Sequence, residues 1–321
     1  MTPDDFEAVV ADAALSPNVH NTQPTLWRRI DTRTIALLEA PDRTLPHGDP
    51  TGRDVAASHG AAAEGFILAA SLRGFAVRPA LAHEGEVGRL LVDGAATPDL
   101  LAPFLTRRRT YRGRFTTDRM QAALTDLAVA APDLMLLTRT EDIDHVARLN
   151  DAASLRGFRN KAFRAELLSW MRLSPRHPRW SKDGLNARAM EMSSLEAMGA
   201  GVALRPGVFE ILDGLGLGPV LTGEAAVVNS AAAVALLHRP ADEAPFETGR
   251  AWHRAWLEMT RLGLAAAPMT VLADDTDAAA DLSVRFNLPP DRRLITVFRL
   301  GRAPDSSLPP PVRRPLKDVI I

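Results

Sequence analysis

The chain has no cysteine, one tyrosine and only 5% aromatic residues in a length of 321. Without cysteine there can be no disulfide, thiolate metal centre, iron–sulfur cluster or cysteine nucleophile, and a reducing compartment suits the composition. A charge excess is also missing. With 38 basic and 39 acidic side chains the net charge is −1, so no global field draws the chain to nucleic acid or anionic lipid. No apolar run is long enough to cross a bilayer, and Met1-Thr2-Pro3-Asp4-Asp5-Phe6 is acidic with no hydrophobic segment behind it. A cytoplasmic protein with neither a nucleic-acid nor a membrane partner is expected. There is no G-x-S-x-G, no P-loop and no H-E-x-x-H, and the eight histidines show no short metal spacing, so hydrolase, NTPase and metal-site readings lack an anchor. Gly214-Leu215-Gly216-Leu217-Gly218 lacks dinucleotide-fingerprint spacing and reads as a turn.

Abundant alanine in place of aromatics points to a helix-rich, closely packed core, and the length suits one large or two ordinary domains. Thr2 as N-cap, Pro3 at N1 and Asp5 at N3 open a helix to about residue 15, with Phe6, Val9, Val10 and Ala13 on one face. Strands are expected at 26–30 and 34–39, then a loop over 41–53. The helix at 54–72 is apolar nearly all round, hence buried, and Gly74 ends it. Within it, Ser58-His59 reads as a satisfied core pair. A strand at 89–92 and helices at 99–106 and 118–130 follow, then strands at 134–138, 231–237 and 294–300 and a helix at 249–262. That last helix ends in Gly263 and runs into Leu264–Pro268, much as the first-half helix runs into Gly74–Pro79. The helix at 118–130 ends in Ala-Ala-Pro as the first ends in Leu-Ser-Pro, and together these echoes suggest an internal duplication. Residues 152–221, with Trp170, Trp180 and several methionines, fit neither half and read as a helical, lid-like insertion. The prolines at 309–311 and 315 extend the tail, and 317–321 are expected to add an edge strand.

Two stretches carry chemistry. Ser16-Pro17-Asn18-Val19-His20-Asn21-Thr22-Gln23-Pro24 offers many donors and acceptors and little apolar surface, which suits either a hydrogen-bonded turn or a cradle for a polar, planar ligand. Arg107-Arg108-Arg109-Thr110-Tyr111-Arg112-Gly113-Arg114-Phe115 is a solvated linker, a nucleic-acid arm or a phosphate grip. Neutral total charge and the lack of interleaved aromatics argue against the arm, and bidentate arginine beside a hydroxyl favours the grip.

The first stretch resembles the P-S-x-x-N-x-Q-P-W signature of FMN-dependent nitroreductases, in particular their two-halved, Acg-type branch. Asn18 stands in place of serine, and Thr25-Leu26 delay the tryptophan by two positions. The arginine stretch resembles that family's R-R-S-x-R-x-F segment, and Arg313-Arg314-Pro315-Leu316 its closing R-x-P-L-x-x-V. Gly263–Val271 is similar to its G-L-x-x-x-P-x-x-G stretch, with Thr270 and Val271 where Glu and Gly are usual. The resemblance implies an α+β fold of two related halves, 1–105 and 106–321, each a mainly antiparallel sheet flanked by helices, the second containing the insertion. It implies FMN held by Pro17, Asn18, His20, Asn21, Gln23, Arg108, Thr110, Arg112 and Arg313, with Arg109 as the alternative if the register slips by one. Pro268, Met269 and Thr270 would pack their backbone on the flavin, and Arg112 would lie near its N1/C2 edge.

The loop lies in the first half and the arginines, the Pro268 stretch and the tail in the second. The resemblance therefore implies one FMN per chain acting as its own pseudo-dimer, with further homodimerisation possible. Its activity would be ping-pong hydride transfer from NAD(P)H through FMN N5 to a small nitroaromatic or quinone-like acceptor, with no catalytic side chain required. The alternative is an FMN-sequestering or sensing protein whose insertion covers the flavin.

Overall fold

The computed structural model describes residues 1–304 and 310–321. Pro309, the first residue of the expected extended tail, lies outside them.

The first half begins as its caps dictate. Helix α1 (Pro3–Ala13) opens with Thr2 accepting from the Asp5 amide while Asp5 accepts from that of Thr2, and Phe6, Val9, Val10 and Ala13 are its buried face. Then come β1 (Thr25–Arg29), β2 (Thr34–Glu39), α2 (Arg53–Ser71), β3 (Phe75–Ala80) and β4 (Gly88–Ala95), making an antiparallel sheet of order β1-β2-β4-β3. The expected helix at 99–106 is only a 3-10 turn, Ala102–Phe104, since Pro103 cannot donate inside a longer helix.

The second half repeats the plan. Helix α3 (Gln121–Ala130) starts three residues later than expected, because Met120 takes the left-handed conformation at φ 51°. Strand β5 (Leu134–Leu137) is followed by α4 (Thr140–Arg159), α5 (Lys161–Trp170), β6 (Met171–Arg172), β7 (Leu185–Asn186), α6 (Ser194–Ala203), α7 (Val208–Gly214), α8 (Gly218–Thr222) and α9 (Ala225–Val228). The sheet then resumes with β8 (Ala233–Pro240), α10 (Pro245–Arg261), β9 (Ala265–Pro268), α11 (Val271–Asp274), α12 (Thr276–Arg285) and β10 (Arg292–Gly301). Its order, β5-β8-β10-β9, is antiparallel and repeats the first half's first-second-fourth-third arrangement. In both halves the helix before the third strand ends at a left-handed glycine, Gly74 at φ 78° and Gly263 at φ 75°. The fold class is thus α+β, as expected.

Burial tells the two sheets apart. Strand β8 reads Ala-Val-Ala-Leu-Leu without alternation and is buried throughout that run, as a strand covered on both faces must be. One face packs with α10 around Trp256 and Phe298, whose ring centroids lie 5.1 Å apart. The other packs under α4, α11 and α12. So α4 is core, and position 152 falls in the middle of it.

The halves meet where α2 crosses α10. Fourteen of the nineteen α2 residues are buried, and Glu64 among them receives both Arg250 and Arg254 from α10 at 2.9 Å. A Cβ on Gly60 would sit 1.8 Å from the Phe246 carbonyl oxygen, and one on Gly249 1.9 Å from that of Ala57. These are backbone obstacles that no rotamer change relieves. Gly60→Ala should therefore cost about 3 kcal/mol, read as a lowered urea midpoint; an unchanged midpoint would show that the crossing has slack.

The tail crosses back to the first half. The edge strand expected at 317–321 is instead a 3-10 turn, Leu316–Asp318, followed by one parallel bridge of Ile320 to Trp27: the Trp27 amide donates to the Val319 carbonyl at 2.8 Å and the Ile321 amide to that of Trp27 at 2.9 Å. No single helix among the described residues is long and apolar enough to cross a membrane, although the bent pair Val208–Gly214 and Gly218–Val228 passes jointly by length and composition.

Candidate functional site

The polar loop is a strained turn. His20, Asn21 and Gln23 all have positive φ, 46°, 54° and 54°, which non-glycine residues hold only when their surroundings over-determine it. Asn18 supplies part of that: its amide nitrogen donates to the Ser16 carbonyl at 3.1 Å and its oxygen accepts from the Gln23 amide at 2.9 Å. Helix α2 supplies a further part. Ser58 accepts from the Val19 amide at 3.1 Å, and His59 Nδ1 meets Thr25 Oγ1 at 2.8 Å. Ser58-His59 is thus the satisfied pair expected, and it braces both ends of the loop.

Four arginines gather against this loop and its surroundings. Arg108 donates to the Leu15 carbonyl at 2.9 Å, and its Nε is buried without a partner. Arg313 donates to the carbonyls of Ala14, Leu15 and Ser16 and to Asn21 Oδ1, at 2.6 to 3.2 Å. Arg109 donates to the Arg108 carbonyl and Arg112 to that of Ala189. Every acceptor is neutral. Burial drives the Arg108 guanidinium well below its ordinary range, with Arg313 and Arg109 adding to it, and burial takes Arg313 down to about 10. Glu191 and Glu224 lie near Arg112 alone of the four, and a cluster whose guanidiniums bond no carboxylate attracts an anion carrying several oxygens. Thr110 stands beside it, and the Tyr111 amide pairs with the Ala266 carbonyl at 3.0 Å, so this stretch runs alongside β9 toward Pro268.

Three expectations change. Met269 faces the core, buried under β10, and its amide donates to Val297 at 2.6 Å, so neither its side chain nor its N–H is free for a ligand. Thr270 follows it half-buried, ahead of α11. Trp170 is no mobile cover: it is buried, with the guanidiniums of Arg43, Arg172 and Arg179 each 5.6 to 5.8 Å from its ring centre. Arg313, expected at a phosphate, spends most of its donors on the carbonyls that end α1.

The feature that sequence reasoning missed is a latch between the loop and the insertion. Gln23 Nε2 donates to the Lys182 carbonyl at 2.8 Å, Asn21 Nδ2 to that of Gly184 at 3.1 Å, and the Gly184 amide returns to Asn21 at 3.0 Å. Between them Asp183, fully buried, accepts from Arg43 at 2.8 Å, Arg172 at 2.9 Å and Arg179 at 2.8 Å. Arg43 also donates to the Thr22 carbonyl. The insertion thus holds the loop amides and, through Ala189, Arg112. Behind the loop, the void lined by Pro17, Asn18 and Gln23 is about 20 Å³, room for one water.

Desolvation sets the local histidines. His59 is held down to about 4, as is His20, where the nearby Arg112 also contributes; His253, buried against the Ala61 carbonyl, falls to about 3. An unfolded chain would take protons on them near 6.5, so the unfolded state binds more protons in between and stability falls as pH drops. Buried His59 and His253 should each remove about 1.4 kcal/mol per pH unit from about 6.5 down toward 4. Denaturant midpoints across that range check this, and a flat profile would contradict it.

No family model matches the chain. It is similar to two Mycobacterium tuberculosis proteins, from strains H37Rv and CDC 1551, whose names assign them provisionally as NAD(P)H nitroreductases. Identity to each is 27%, over 97% of this chain and 90% of theirs. Among solved structures, the FMN- and NADPH-dependent nitroreductase NfnB of Sphigopyxis sp. strain HMH aligns at TM-score 0.41 and 18% identity, over 69% of this chain and 97% of that one. The FMN-dependent nitroreductase NfnB of Mycobacterium smegmatis, solved with NADPH, aligns at TM-score 0.38 and 20% identity, over 68% and 96%.

Proposed function

We propose that this chain is an FMN-dependent oxidoreductase that draws electrons from NAD(P)H and delivers them to a small nitroaromatic or quinone-like acceptor. The observation that carries the reading is the arginine cluster with only neutral acceptors, set against the Asn/Gln loop. Its nearly full-length likeness to proteins named as NAD(P)H nitroreductases supports it. The phosphate end of FMN fits: Arg108 offers a buried donor without a partner, with Arg109 and Thr110 beside it. Arg313 braces the end of α1 and the loop through Asn21. Pro17, Asn18, His20, Asn21 and Gln23 would border the ring on one side and Pro268 and Thr270 on the other.

When bound, FMN would supply two-electron redox chemistry between nucleotide and acceptor. The chain's own residues position and tune. Arg112 places a cation at the site, and His20 beside it is held neutral by burial and by that cation, so it adds no further charge. The two sheets share one strand order, which supports a pseudo-dimer of halves 1–105 and 106–321 with one cofactor per chain.

A second reading, cofactor sequestration, draws on the latch, because residues 182–189 engage Asn21, Gln23 and Arg112. Anaerobic stopped-flow of the flavin-loaded protein separates the two. Bleaching by NADH or NADPH and recovery with a nitroarene or quinone is expected. Bleaching by dithionite alone favours sequestration, and a protein that cannot be loaded with FMN overturns both.

A further inference from the structure

A second cavity, of about 510 Å³, opens between the end of β2, the loop before α2, and Phe246 from α10. It shares no lining residue with the cofactor site. The chain carries 38 lysines and arginines, yet none lines this cavity, whose charged side chains are Glu39 and Asp49. Leu45, Val87 and Phe246 make it apolar elsewhere.

Neither carboxylate is neutralised by an ion pair with lysine or arginine among the described residues. Asp49 accepts from the Val55 amide at 2.8 Å and from Thr51 Oγ1 at 3.3 Å, which fix it without cancelling its charge. Among the described residues, the Glu39 carboxylate, with its side chain 38% exposed, meets His59 Nε2 alone, at 3.4 Å. Burial keeps that imidazole neutral. One tautomer satisfies both neighbours: Thr25 Oγ1 donates to Nδ1, and Nε2 donates to Glu39.

We propose that this cavity binds a small organic cation, a primary or quaternary ammonium on a compact apolar body, with Glu39 as its counter-ion. The volume suits a single-ring amine. The apolar walls would take its body, and the Phe246 ring adds an attraction that a neutral isostere does not feel. A metal ion fits less well, since the described residues hold no group of three or more suitable ligands. His59 also reaches Thr25 at the end of the polar loop, so the cavity wall and the loop share one hydrogen-bonded brace.

Calorimetric titration of the full chain with benzylamine, benzyltrimethylammonium, benzyl alcohol and benzoate tests this. Both ammonium probes should bind, with the alcohol at least about tenfold weaker and benzoate undetected. Glu39→Gln should weaken benzylamine about tenfold or more and leave the alcohol unchanged. Val87→Phe, which narrows the cavity and keeps the carboxylate, should abolish binding of both cations. Equal binding of amine and alcohol, no ammonium binding at millimolar concentration, or full binding to Val87→Phe would each overturn the proposal. Should Glu39→Gln fail to fold, the alcohol comparison and Val87→Phe decide.

Discussion

Asp183→Asn is expected to destabilise the chain by about 3–5 kcal/mol, the usual cost of removing one partner from a buried charge cluster. Asp183 is wholly enclosed, and its partners Arg43 and Arg172 keep only 7% and 2% of their side-chain surface. An amide in its place leaves buried Arg172 without a countercharge and Arg43 with only the exposed Asp42, 3.5 Å away; Arg179, 40% exposed, can turn to solvent. Burial alone would raise the Asp183 carboxyl, but hydrogen bonds from Arg179, Arg43 and Arg172 outweigh it and hold it below the usual carboxylate range. The sign follows: this stabilisation is complete above the ordinary value near 3.8 and is lost as pH falls through the lowered one. Urea unfolding followed by tryptophan fluorescence reads it through Trp170, packed against the same arginines. A loss below about 1 kcal/mol would mean that water reaches the cluster in solution.

Arg108→Met is expected to weaken FMN binding about thirtyfold, the equivalent of one charged hydrogen bond, without lowering the stability of the flavin-free protein. The two effects have one cause. Arg108 is a buried cation with one carbonyl partner, an orphaned Nε and the Trp256 ring 4.5 Å from its guanidinium carbon. Left without an anion, it is an uncompensated charge whose removal relieves desolvation. Natural sites keep such groups at a cost to the empty fold. Arg313→Met should behave in the opposite way, lowering stability because Arg313 closes three carbonyls at the end of α1. Flavin titration and thermal melts of both variants give the comparison. An Arg108→Met protein that melts far below wild type and still binds FMN normally would reverse the roles.

What could be read beforehand depended on where each element's information resides. Helix α1 was legible because its capping box is local, and α2 because apolar residues on every side demand burial. Strand β3 was not, since Pro79 argues against a strand; as a sheet edge, β3 tolerates it. The early start given to α3 overlooked Asp118, whose carboxylate takes the Met120 amide and delays the helix. At the site, the loop and the arginines were visible as side chains. The latch was not, because Lys182 and Gly184 make it through backbone carbonyls, which every residue possesses. Met269 was misjudged for a related reason: the residue after a strand's end has no sequence mark saying which way it faces.

The pairing of Val319 and Ile321 with Trp27 also constrains how the chain is made. A ribosome adding about 5–20 residues per second finishes β1 some 15–60 seconds before those partners emerge. Until then the outer edge of the first sheet stays open, able to recruit strands from a neighbouring nascent chain. Synthesis in cells should therefore favour conditions in which chaperones shield that edge, and truncation before residue 319 should raise the fraction of the product that aggregates.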